Sequence, residues 1–123
     1  GEALSLLSDP SLLNERASVL TEVALIHRAA GNHIAALETI EQVLAYYPQI
    51  EGTDDNLHRH LWVAALIFRD AGQGERAVQL VAQAHAAFQR DLAAIPDEQS
   101  RQAYAQIRHN RQIVAAYERG EWG

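Results

Sequence analysis

Cysteine is missing from the chain, which excludes disulfides and thiolate metal sites alike. Methionine is also missing and so is lysine, leaving arginine as the only basic residue apart from histidine; this reads as codon bias rather than as function. Without an initiator methionine the stretch is expected to be a fragment of a longer protein, with Gly1 as a tag remnant. Proline is confined to Pro10, Pro48 and Pro96. The longest apolar run, Leu61 to Phe68, falls far short of the ~20 residues that cross a bilayer. The start does not resemble a signal peptide, so a soluble, cytoplasmic protein is expected. A formal net charge of −6 makes any nucleic-acid surface a local exception. No charge block is long enough to act as a tail.

What remains is helix-forming. Hydrophobic residues make up 48%, many of them alanine, and the periodicity is helical with no alternating strand pattern. The chain is long enough for one domain with a real core, spanning 1–123. Asp9 is the expected N-cap of a first helix with Pro10 at its first position; Leu12, Leu13, Leu20, Val23 and Ala24 form its apolar side and Gly31 its stop. A second helix buries Ile34, Leu37, Ile40, Val43 and Leu44 and ends at Pro48. Residues 49–53 form a linker, with Thr53 as N-cap and Asp54 and Asp55 in the next first turn. A third helix runs through Leu57, Leu61, Ala64, Ala65 and Phe68 to Gly72. The fourth spans about 74–94 and carries Ala77, Val78, Val81, Ala84 and Phe88. After the break at Ile95-Pro96-Asp97, two shorter helices are expected near 97–107 and 110–119, with Asn110 as a cap between them.

The chain repeats itself. Leu20 and Leu61, Ala24 and Ala65, Gly31 and Gly72, Ala36 and Ala77, Ile40 and Val81, and Val43 and Ala84 are each 41 residues apart. Two helices hinged at a glycine cannot bury both apolar faces alone, so the pattern implies hairpins stacked into one core. Ala24 against Ala36 and Ala65 against Ala77 would let the paired helices cross closely.

These residues resemble the tetratricopeptide repeat (TPR). Its places are filled by Leu20, Val23-Ala24, His27, Gly31, Ala36, Ile40, Val43 and Pro48 in a first unit of about 17–50. In a second unit of about 58–91 they are filled by Leu61, Ala64-Ala65, Phe68, Gly72, Ala77, Val81 and Ala84. The usual Trp is Leu here, His27 replaces an aromatic, Gln89 replaces the second closing proline, and the spacing exceeds the usual repeat. The resemblance implies an all-α TPR-like solenoid of about six helices. The close of the chain, Ile95-Pro96-Asp97-Glu98, Tyr104 and Asn110 to Tyr117, is similar to the helical C-terminal regions of large bacterial regulators. That likeness covers signalling ATPases, cyclases and SARP- or LuxR-type transcription factors. It implies a signalling or transcription-regulatory parent with its catalytic or DNA-binding domain upstream.

In TPR proteins the first helix of each hairpin lines a concave groove. Carried over position by position, the groove would receive Thr21, Leu25 and Arg28 from the first unit, and Arg59, Trp62, Val63, Leu66, Arg69 and Asp70 from the second. Trp62 stands out because aromatic and arginine side chains dominate binding hot spots, and Arg28 and Arg69 could grip a carboxylate. The bland reading makes Trp62 core, or covered by a helix such as 97–107. Asp54 or Asp55 with His58 has spacing for a weak divalent site, but no third ligand follows from spacing, and a helix cap explains them better. His27 is expected to be a packed histidine. Arg101, Arg108, Arg111 and His109 form a short basic stretch, but the rest of so acidic a chain would repel phosphate, which argues against nucleic acid as its ligand. No nucleophile elbow, phosphate loop or zinc-protease motif occurs, so neither an enzyme nor a cofactor or metal site is expected. The expected role is a non-catalytic module that holds a protein or peptide, or an upstream domain of its own parent. The alternative is an oligomerisation scaffold, including a homodimer, without an exchangeable ligand.

Overall fold

The computed structural model describes residues 10–47 and 56–122. Among them are six helices and no strand. They are α1 (Pro10–Ala29), α2 (His33–Ala45), α3 (Leu57–Asp70), α4 (Gly74–Ala94), α5 (Glu98–Ala105) and α6 (Arg108–Arg119). Pro10 opens α1, where its missing N–H is harmless. The expected roles of Asp9, Pro48, Thr53, Asp54 and Asp55 lie outside the described residues.

The two hairpins share one turn, bond for bond. Gly31 has φ +77 and Gly72 φ +80. The Gly31 N–H bonds Arg28 O at 3.0 Å, and the Asn32 N–H reaches His27 O at 2.9 Å. In the second hairpin the Gly72 N–H bonds Arg69 O at 3.0 Å and the Gln73 N–H bonds Phe68 O at 2.9 Å. This Schellman closure satisfies carbonyls that the helix end would leave orphaned, and its left-handed residue needs glycine. A Cβ on Gly72 would meet nothing within 4 Å, so the cost of Gly72→Ala is conformational alone. We expect it to destabilise by about 1–2 kcal/mol. Gly74→Ala, also in open space but at the first position of α4, should stabilise by about 0.4–1 kcal/mol. Opposite signs in paired urea titrations check both.

Helix α3 is the centre. It packs against α1, α2, α4 and α6. Its stretch from Leu61 to Ala65 is buried without a break, and Ile67 and Phe68 are buried too. Ala24, Ala36, Ala65 and Ala77 are all buried, as the close crossing of each hairpin requires. Helices α1 and α3 run parallel: Thr21 and Glu22 meet His60 and Arg59 toward their starts, and Arg28 meets Asp70 at their ends.

Five local expectations need correcting. Leu12 is 44% exposed, because it lies about 100° around α1 from the buried Leu13. Ile34 is 75% exposed; its counterpart 41 residues on is the exposed Glu75, so this first-turn position faces solvent in both hairpins. Val78 is 62% exposed, whereas its counterpart Leu37 is half-buried because α3 lies against α2. His27 is only half-buried, unlike Phe68 at the matching place. Asn110 does not cap α6, which begins two residues earlier. It is buried and donates from its side-chain amide to Tyr104 O at 2.9 Å, closing the end of α5 instead. The start of α5 is capped by Asp97, whose carboxylate accepts the Ser100 N–H at 2.8 Å.

Candidate partner-binding surface

The groove residues expected from the sequence separate into two kinds. Leu25 and Leu66 are half-buried at matching positions of α1 and α3, and Arg69 is exposed beside them. Arg28 pairs with Asp70 at 2.6 Å, and Arg59 pairs with Glu22. Both pairs join α1 to α3, and in solvent each stabilises by at most about 1 kcal/mol. Thr21 is fully buried. Its hydroxyl donates to Ala17 O at 2.7 Å, so its oxygen is left to accept from His60 Nδ1 at 3.1 Å, which places that ring's proton on Nδ1. Thr21 therefore joins helices rather than facing outward.

Trp62 is buried as well, but by the chain's own end. Trp122 stacks on it with centroids 5.7 Å apart and planes 17° from parallel. The Arg69 guanidinium sits 5.0 Å from the centroid of Trp122. The indole N–H of Trp62 donates to Gln112 Oε1 of α6 at 3.2 Å. Gly120, with φ +69, turns the chain after α6 and brings Trp122 back over α3. Sequence reasoning singled out Trp62 and Arg69. It did not link them to Trp122, because sixty residues of separation leave no periodic signal.

A second constellation was not legible at all. His58 is buried where α3, α4, α5 and α6 meet. Its Nδ1 lies 3.4 Å from Asp91 Oδ2. Its Nε2 lies 3.3 Å from the Tyr104 hydroxyl and 3.3 Å from His109 Nε2. The Tyr104 hydroxyl also reaches Asp91 Oδ2 at 3.5 Å. A carboxylate only accepts, so it favours the proton on His58 Nδ1; Nε2 then accepts, and His109 can donate from Nε2. Phe88 and Tyr104, stacked on each other 5.6 Å apart, pack beside the His58 ring. The Asp54 and Asp55 part of the conceivable metal site lies outside the described residues. Among the described residues no group of three or more histidine or acidic side chains is placed to hold a metal ion.

Burial, with Arg59 nearby, holds the His109 pKa below its ordinary 6.5, and burial does the same to His85 against the opposing pull of Glu118. In the unfolded chain these histidines take up protons near pH 6.5, while the folded ones resist. Over that window the unfolded state binds more protons, so stability is full above it and falls as pH drops through it. We expect a lower melting temperature at pH 5.5 than at pH 7.5, and a shallower slope in His109→Gln, which keeps a donor but does not titrate. A melting temperature equal at the two values counts against this account.

The basic stretch does not stay together. Arg101 pairs with Glu98, and His109 turns to His58. Arg108 and Arg111 instead join Gln112, Ala115, Arg119 and Glu121 around an open cavity of about 420 Å³ on α6. No helix among the described residues is long and apolar enough to cross a membrane. In comparisons with protein-family models, curated proteins and solved structures, nothing matches this chain.

Proposed function

We propose that this chain is a non-catalytic, TPR-like interaction module that holds a peptide or neighbouring domain along α1 and α3, within a signalling or transcription-regulatory protein. One observation carries the reading. The first helices of the two hairpins lie side by side, parallel and in register, joined by Thr21–His60, Glu22–Arg59 and Arg28–Asp70. That register sets the matched pairs Leu25/Leu66 and Arg28/Arg69 in two rungs, with Arg28 already paired to Asp70 and Arg69 as the basic contact. An extended segment with alternating apolar and acidic side chains would meet both rungs. Trp122 already occupies one place on this ridge, which marks the Trp62–Arg69 end as suited to an aromatic ring.

Selection of displayed peptides against the immobilised protein tests it. Peptides recovered should lose about tenfold or more in affinity for Leu25→Ser or Arg69→Ala, as for hot-spot contacts, and be indifferent to Val78→Ser. Binders indifferent to both groove variants would refute the reading. The scaffold alternative has its own support, in an apolar face on the far side of α1.

A further inference from the structure

Helix α1 carries an exposed apolar stripe. Leu12 is 44% exposed, Val19 59% and Ile26 66%. They recur every seven residues, which keeps them within about 20° of one line along roughly 21 Å of helix. Val19 lies two residues from the buried Ala17, roughly 200° around, so the stripe faces away from the core. Three large apolar side chains thus share one exposed line rather than lying scattered over the helix.

The internal repeat shows what such a face is for. Val19 and Ile26 of α1 correspond, 41 residues on, to His60 and Ile67 of α3. In α3 those positions are 1% and 2% exposed, on the helix that α1 and α2 pack against. The same face is thus covered by helices in the second hairpin and open among the described residues in the first. It also lacks the charges that α3 uses there, since Arg59 corresponds to Ser18 and Asp70 to Ala29. The stripe itself is apolar, with Glu15 and Glu22 flanking it on one side, and this favours an apolar helix as its occupant.

We propose that this face pairs α1 with α1 of a second copy, antiparallel and centred on Val19. The stripe is symmetric about Val19, with Leu12 seven residues before it and Ile26 seven after. A two-fold axis through Val19 therefore sets Val19 against its equivalent and Leu12 against the partner's Ile26 at both ends, the self-complementarity of an isologous contact. Pairing also brings Glu15 near the partner's Glu22, but Glu22 is already neutralised by Arg59 of its own chain. The contact lies behind the α1–α3 ridge and does not depend on the groove reading.

Because the native chain has no cysteine, Val19→Cys is a single reporter. Under mild oxidation it should form a covalent dimer, and Glu38→Cys on α2 should not. In sedimentation the native chain should move from one copy toward two between about 10 µM and 1 mM, as a small interface would. Val19→Glu/Ile26→Glu should stay at one copy with an unchanged helical circular dichroism spectrum, since both side chains are exposed. A single copy at every concentration overturns the proposal, as does a dimer that survives the double variant. Dimerisation only after removal of residues 1–8 also overturns it, by assigning the face to that segment. None of these outcomes alters peptide binding by the groove, which is measured at low micromolar concentration.

Discussion

Trp62→Ala is expected to lower the unfolding free energy by about 3–5 kcal/mol, the cost of emptying a buried tryptophan site. An interface residue on an open ridge would cost far less to truncate, because its area is already in water. Trp62 is 3% exposed, beneath Trp122 and bonded to Gln112, so its removal also undoes the seat of the C-terminal segment. Trp122→Ala should cost only about 0.5–1.5 kcal/mol, the range of an aromatic pair, since Trp122 itself is half-exposed. Trp62→Phe should fall between: it keeps most of the packing and gives up a hydrogen bond worth about 1 kcal/mol. Urea titrations followed by far-ultraviolet circular dichroism rank the three variants. A Trp62→Ala chain within 1 kcal/mol of native would return Trp62 to the status of a ligand contact.

The hinges were the most legible feature. A left-handed helix end requires glycine, and two glycines at matched places in matched apolar patterns leave few alternatives to paired helices. The alanines at 24, 36, 65 and 77 were legible for a related reason, since only small side chains permit close crossing. The burial of α3 on every side but that of Arg59, Leu66 and Arg69 was not read from its pattern, because amphipathic reasoning assigns each helix one buried face. The unbroken apolar stretch from Leu61 to Phe68 was the available signal, and it marks a helix packed between layers rather than on one. Ile34 and Val78 failed in the opposite sense: they fit the period, yet no helix lies over them among the described residues.

The polar junction was beyond reach for a different reason. His58, Asp91, Tyr104 and His109 come from four helices, and their distances depend on how α5 and α6 fold back across α3 and α4. No spacing within one helix encodes that return. The break at Ile95-Pro96-Asp97 announced a change of direction but not its angle. The same return covers Trp62 with Gln112 and Trp122, so the bland reading of Trp62 holds, with a different element as the cover, and one packing event accounts for both the hidden histidine cluster and the covered tryptophan.

Phe88→Ala tests that junction with an effect of similar size, about 3–5 kcal/mol. Phe88 is 2% exposed, and its ring lies 6.4 Å from His58, 6.5 Å from His85 and 5.6 Å from Tyr104. Truncation opens a void bordered by a carboxylate, a phenol and imidazoles, which is polar enough to admit water. Water there relieves the desolvation that lowers the His85 pKa, so the variant should lose stability at pH 7.5 and show a flatter decline toward pH 5.5. The two effects separate packing from titration. Phe88→Leu, which keeps the site dry, should lose about 1–3 kcal/mol and retain the native pH slope. An Ala variant with an unchanged slope would show that burial by Phe88 is not what lowers the His85 pKa. The pH slope would then rest on His109, which burial and Arg59 hold below its ordinary value.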